Sequence, residues 1–504
     1  MKKMNLLVMS LVSAAALSFS SCSSNDDLAG GGAGTQSQVK GFYMTLAVQT
    51  PTSNGTRTSI ENPIPTEDAT AVEAAVKTGT FYLVDSKGTV VFSKTLTATD
   101  WEGASGAIKD PTTAAKDGKT TLQIQVENVA AGATYKVYFK AGSTAMDGVT
   151  EPVAAGTTGI FTATGIEKTF TAADAFDKTC AGDNNFSMFN QNDESRKGNG
   201  YTVTFEDGNK VATNPAKVKY NNAESAIKIE RVTARVDVPT SATKLTREEL
   251  PSTASQALKN AVADAKKKVD NIELVSYALS NVTNKTYVMQ TWIDKNLTIP
   301  EGVTLSQPKT AFGTKYLLDA TCFKPYATAT NDYIFENNKD GEEATAMYFQ
   351  YQVTLKTSEF EGKADFDDGT FYRYNNVIYT SFEQIYKAYA DVAGLFGGKT
   401  AAQMKTAAIT ASATEADLAA FREKYQIEVF KGGMTYYKQV ITDNQLSKNV
   451  IQRNTIYRLN VNKIFNVGAQ VPNGEIDKNG LFYLDVTVTV NPWVLNVQNV
   501  QLGD

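Results

Sequence analysis

Apolar and polar residues alternate in short runs along most of the chain. In the first half these are Thr80–Val84 (TFYLV), Val90–Phe92, Leu122–Val126 (LQIQV), Tyr135–Phe139 (YKVYF), Tyr201–Phe205 (YTVTF) and Ile227–Val232 (IKIERV). In the second half they are Met347–Leu355, Thr455–Ile464 and Phe482–Val490. Successive side chains of a strand point to opposite faces of its sheet, so each run predicts one buried face and one wetter face. Short strands rich in Thr, Tyr and Val, with turn residues between them, predict β-sandwiches. Three segments carry helical spacing instead. Ala254–Val269 lines up Ala254, Ala257, Leu258, Ala261, Val262, Ala265 and Val269 on one face. Ser381–Phe396 opens with Ser381 and Gln384 at capping-box spacing and closes at Gly397-Gly398. Thr414–Tyr425 opens in the same way with Thr414 and Asp417. No fixed-period repeat is visible, which argues against a solenoid or propeller.

The chain has 504 residues, too many for a single core and enough for two or three domains. With 42% hydrophobic and 20% charged residues it can bury large cores. Its formal charge of −5 comes with no long basic block, which argues against nucleic acid or an anionic membrane surface as a main partner. The count that excludes most is zero histidines, which removes Ser-His-Asp and Cys-His catalysis and His-ligated zinc. The three cysteines, Cys22, Cys180 and Cys322, build neither a disulfide framework nor a four-thiolate site. A glycosidase needs only paired carboxylates, and Asp365, Asp367 and Asp368 are the densest acidic cluster. They read as a solvated loop. Neither that run nor Glu336–Gly341 keeps the ligand spacing of an EF-hand. The sequence therefore predicts no enzyme, no cofactor and no metal site.

The first residues read as an address. Lys2 and Lys3 precede the apolar run Met4–Phe19, too short and too rich in Ser and Ala to span a bilayer. The run ends in Leu17-Ser18-Phe19-Ser20-Ser21-Cys22, which resembles a bacterial lipobox, so residues 1–21 are expected to be removed and Cys22 acylated. The acidic Asp26-Asp27 just after the cysteine is similar to the surface-export signals of Bacteroidetes lipoproteins. Attachment would then rest on lipid alone. Leu28–Gln38 is a Gly-rich tether.

The two ends of the folded part carry the functional signal. In Val39–Gln49, Phe42, Met44, Leu46 and Val48 share one face and Tyr43, Thr45, Ala47 and Gln49 the other, a strand with a buried side. The turn-forming stretch Thr50–Arg57 follows, and Arg57 is the first arginine of the chain. Cutting between Arg57 and Thr58 would carry away residues 22–57, the anchor and one whole strand together. At the other end Phe482–Val490 alternates cleanly, and Pro492 is expected to interrupt it because proline cannot donate to a central ladder. A second segment then presents Trp493, Leu495 and Val497 on one face, with a parity change before Val500 and Leu502. Such a terminal strand either completes its own sheet or leaves to join another chain.

Taken together, the segments resemble the Bacteroidetes fimbrillins, the type V pilins, and most closely the Mfa-like major fimbrial subunits. The matching stretches are the lipobox at Cys22, Tyr43–Leu46 leading to Arg57, Ile229–Val236 (IERVTARV), Arg453–Val461 (RNTIYRLNV) and Val488–Trp493 (VTVNPW). The resemblance implies a mainly β chain of two transthyretin-like β-sandwich domains with a few helices inserted in the second. It also implies lipoprotein export, an arginine-specific protease acting at Arg57 and Thr58, and polymerisation by strand exchange. The expected organisation is a signal peptide (1–21), a lipidated propeptide (22–57), two sandwiches (58–243 and 244–480) and candidate donor strands (481–504). The expected partners are other copies of the chain, accessory fimbrial subunits, the protease and the lipoprotein export machinery. The membrane is touched only through the precursor lipid, and the end point is a cell-surface fimbrium. The main alternatives are a tip or anchor fimbrial subunit, or an anchored glycan-binding lipoprotein with aromatic runs such as Phe371–Tyr374 as a sugar platform. The helical insert between Ser381 and Tyr425 is not explained by the resemblance.

Overall fold

The structure, a computed structural model, describes residues 41–50, 67–68, 73, 76–102, 119–172, 180–181, 186–192, 196–247, 249–250, 252–293, 296–306, 309–312, 315–318, 322–408, 412–443, 446, 448–472 and 484–494. Strands dominate, as the alternating runs predict. The first sheet contains β1 (Phe42–Gln49), β3 (Gly79–Val84), β4 (Val90–Leu96), β5 (Lys119–Val126), β6 (Thr134–Ala141), β7 (Met188–Asn190), β8 (Tyr201–Thr204), β9 (Ala216–Lys217) and β10 (Ile227–Arg231). β6 is its pivot, pairing with β3 on one side and with β7 and β8 in succession on the other. Apolar side chains of β1, β3, β5, β6, β8 and β10 meet in one core, including Leu46, Phe81, Ile124, Phe139, Val203 and Ile229.

The second sheet runs β2 (Glu67–Asp68), β21 (Leu484–Val494), β20 (Thr455–Ile464), β11 (Ala234–Val236), β14 (Asp332–Ile334), with β12 (Thr240–Ser241) also beside β20. The chain passes from the first sheet to the second within two residues, Val232 and Thr233, both buried. A third sheet sets β13 (Val269–Ser280), β15 (Ala346–Leu355) and β19 (Met434–Val440) in antiparallel order. The inward faces of the second and third sheets share a core through Val236, Ile272, Leu274, Phe349, Tyr351, Leu459 and Val461.

The helices follow their sequence signals with local departures. α1 (Gln256–Lys268) is capped by Ser255 and buries Leu258, Ala261, Val262 and Ala265, four of the residues placed on one face by spacing. α4 (Glu415–Tyr425) has a reciprocal box between Thr414 and Asp417. α2 (Phe382–Ala388) is shorter than its pattern, and its box is incomplete. Ser381 accepts from the Gln384 amide, but Gln384 Oε1 accepts from the Thr380 amide and not from Ser381. The chain leaves the helix at Tyr389, where aromatic packing takes over. Tyr374 meets both Tyr389 and Phe396, with ring centroids 4.9 and 5.4 Å apart. A further helix, α3 (Ala401–Ala408), lies between them. The insert has its own core, in which Phe382, Ile385, Met404, Leu418 and Phe421 pack on Tyr372 and Val429. Those two residues belong to β16 (Phe371–Tyr374) and β18 (Glu428–Phe430), which with β17 (Val377–Tyr379) form a small sheet.

Candidate functional site

β1 is an interior strand. Its eight residues pair with β5 without a break, from Phe42 opposite Val126 to Gln49 opposite Lys119. Its other edge is shared by two strands running parallel to it, β9 beside Met44 and Thr45 and β10 beside Val48 and Gln49. Phe42, Met44, Leu46 and Val48 are 7%, 0%, 0% and 2% exposed, so the face expected to be buried is buried. Ala47, expected on the wetter face, is buried as well. Phe42 closes the end of the row edge-on to Phe205, with ring centroids 5.4 Å apart. Burial of these four side chains contributes about 6–12 kcal/mol gross, at about 1.5–3 kcal/mol each. Without β1 the sheet would have a slot walled by β5 on one side and by β9 and β10 on the other, with unpaired backbone along both walls. Such edges are templates for an added strand.

The C-terminal strand behaves differently from its sequence expectation. β21 runs unbroken from Leu484 to Val494, with Pro492 inside it and opposite Thr455 on β20. The expected interruption at Pro492 does not occur. In an antiparallel ladder each residue turns its N–H to one neighbour only, so a proline is tolerated where that side is uncovered. The outer neighbour, β2, is two residues long and reaches Trp493 and Val494 but not Pro492. Trp493 thus lies in the ladder. Leu495, Val497, Val500 and Leu502 lie outside the described residues, as do Cys22, Arg57 and Thr58.

Between the two strand sites lies a buried ionic cluster. Arg231 ends β10 and is wholly buried, its Nε donating to the Glu73 carbonyl at 2.8 Å and its Nη1 to Asn454 Oδ1 at 3.0 Å. Arg235 on β11 donates Nη1 to both Glu73 oxygens at 3.2 and 3.1 Å and Nε to Asp237 Oδ1 at 2.7 Å. Arg458 on β20 reaches the other Asp237 oxygen, Nε at 3.0 Å. Burial pulls the Arg231 guanidinium down to about 9, opposed by the Glu73 carboxylate beside it, so it is charged at neutral pH. Glu73 was not singled out by the sequence, because nothing in its neighbourhood alternates. Arg231 and Arg235, both within the stretch Ile229–Val236, are thus engaged inside the protein.

The other candidate groups are structural. Asp365 Oδ2 accepts from the Phe382 amide at 2.9 Å and the Tyr372 hydroxyl at 3.2 Å, and Asp368 accepts from the Thr370 amide at 2.9 Å. Glu336 forms a buried ion pair with Arg453 at 2.7 Å. Phe371, Tyr372 and Arg373 are buried, with Arg373 held on both Glu428 oxygens, so this aromatic run is core and not a platform for sugars. Cys180 is a buried thiol, pushed up to about 12 by burial, and Cys322 is half-buried.

Residues 428–499, which include β18 to β21, match the family described as major fimbrial subunit protein type IV, fimbrillin, C-terminal. A comparison with curated proteins gives no match. Among solved structures, a presumed cell adhesion protein from Parabacteroides distasonis is 14% identical, with 92% of this chain and 100% of that chain covered at a TM-score of 0.40. A fimbrial assembly protein from the same organism is 9% identical, with 63% and 82% covered at a TM-score of 0.30. These likenesses are too slight to add to the argument. The family match is confined to residues 428–499: the region built by the last strands is similar to the C-terminal part of a fimbrillin.

Proposed function

We propose that the chain is a stalk-type fimbrial subunit of the cell surface. It is made as a lipoprotein acylated at Cys22, cut between Arg57 and Thr58, and joined head-to-tail by exchange of strands. The observation that carries this reading is the position of β1. It is an interior strand with one apolar face, paired with β5 along all eight residues and with β9 and β10 at Met44, Thr45, Val48 and Gln49. A strand in that place holds the slot closed while it is present and leaves a complete acceptor site when it goes. The C-terminal segment beyond β21 supplies the donor, with Leu495, Val497, Val500 and Leu502 as the residues entering the slot of the next subunit, while Trp493 stays in the ladder of its own sheet. Donor and acceptor are different surfaces, so the contact propagates into a filament instead of closing on itself.

The distribution of arginines supports a single cut. The chain has nine, and four of those described (Arg231, Arg235, Arg373 and Arg453) are buried. Arg196, Arg422 and Arg458 are half-buried, and Arg247 is exposed. Arg247 is followed by Glu248-Glu249, whereas Arg57 is followed by Thr58-Ser59. A pocket that binds arginine is itself anionic, so two carboxylates directly after the bond oppose docking there.

Removal of residues 495–504 tests the donor role. The shortened chain is expected to be cut after Arg57 and to stay monomeric, seen as the loss of detergent-resistant ladders on gels. Undiminished ladders would overturn the assignment of the donor to this segment.

A further inference from the structure

Glu73 lies sixteen residues beyond Arg57, in the stretch that becomes the N-terminal segment of the processed chain. It is 1% exposed, yet it is a carboxylate, and every contact described for it goes to a different strand. Its carbonyl holds Arg231, the last residue of β10, which is the strand that flanks β1. Its carboxylate holds Arg235 on β11 and accepts from the Tyr333 hydroxyl on β14 at 2.7 Å. Through Asp237, Arg235 is linked to Arg458 on β20, the partner of the C-terminal strand. A few residues earlier, β2 lies along β21 itself. Burying a charged residue this completely is costly unless all its partners are in place, and removing one partner leaves an uncompensated buried charge.

We propose that Glu73 is a latch that keeps the slot open for a new strand after β1 leaves. This inference rests on the processing reading. While β1 is present, β10 is held by its pairing at Val48 and Gln49, by β7 along its other edge from Ile229 to Arg231, and by the latch. Once β1 is gone, that edge of β10 is bare, and the bond from Arg231 to the Glu73 backbone carbonyl, which the Glu73 carboxylate keeps in place by its hold on Arg235 and Tyr333, fastens its end to the second sheet. The same latch stops the departing propeptide from pulling Glu67 and Asp68 off β21 and Glu73 out of the ionic cluster. Glu73 is thus a positioning residue for strand exchange: it fixes one wall of the acceptor to the sheet that carries the donor, and it acts only through its neighbours.

The test is backbone hydrogen exchange in residues 227–231, measured on the full precursor chain before and after cutting. The cut is made at a site for an unrelated sequence-specific protease placed within residues 51–58, so that the latch is tested whether or not Arg57 is the natural site. In the unsubstituted chain, protection in 227–231 is expected to survive cutting and departure of β1. With Glu73→Gln, which keeps the shape and removes the charge, the uncut chain is expected to stay protected and the cut chain to exchange at least tenfold faster. Polymerisation of the cut Glu73→Gln chain is expected to slow by a similar factor. Equal protection in the cut variant and the cut unsubstituted chain would overturn the proposal. So would equal loss before and after cutting, which is what a merely structural role gives. Tyr333→Phe, which removes one hydrogen bond to the same carboxylate, is expected to show the same pattern more weakly. It serves as the deciding variant if Glu73→Gln precursor does not fold. A lack of cutting at Arg57 by an arginine-specific protease would count against the processing reading and leave the exchange result to stand alone.

Discussion

Replacing Arg57 with alanine is expected to leave a folded, lipid-anchored precursor that forms no filaments. The chain offers an arginine-specific protease few alternatives. Four arginines are buried among their partners, and the exposed Arg247 is followed by two glutamates. Without the cut, β1 stays covalently joined to the segment held at Glu73, and β1 cannot leave its place between β5 and β10 without breaking an eight-residue ladder. Its four apolar side chains would also have to enter water, at about 6–12 kcal/mol gross, a barrier that an incoming strand cannot overcome while the resident is tethered at high effective concentration. The result is read as the disappearance of ladders with full-length, membrane-associated protein in their place. Normal ladders from this variant would contradict processing at Arg57.

Leu46→Ala is expected to separate the precursor from the filament. Leu46 is fully buried in the first core, opposite Leu122 on β5. Truncating such a residue costs about 2–5 kcal/mol, from lost transfer energy and the cavity left behind. That loss is expected in the denaturant midpoint of the uncut precursor. The filament formed from the same variant is expected to be as stable as the unsubstituted one, because the altered strand is no longer in it. A weaker β1 also leaves its slot more readily after cutting, so assembly is expected to be faster. If precursor and filament are destabilised alike, β1 is still in the filament and the exchange account fails.

How much could be read from sequence differs from element to element for physical reasons. β1 was legible because period-two alternation over Phe42–Val48 is the direct imprint of a sheet with one buried face. α1 and α4 were legible through Ser255 and Thr414–Asp417, since capping chemistry is local. α3 was missed because its apolar residues are mostly alanines. Its available signal was the Thr400 and Gln403 pair, in which Gln403 Oε1 accepts from the Thr400 amide at 2.9 Å. Pro492 was read as a break because the rule on proline concerns strands covered on both sides, and sequence does not tell which edge of β21 is bare. Glu73 was illegible for a deeper reason. Its partners lie 158 to 260 positions away along the chain, and a lone glutamate among the alanines and valines of Ala71–Val76 looks like any solvated residue until the sheets are assembled around it.

The central claim is that the subunit in the filament lacks its first strand. N-terminal sequencing of protein taken from cell-surface filaments tests it most directly. The expected first residue is Thr58. Filament subunits that begin at an acylated Cys22, with Phe42–Gln49 still attached, would contradict it.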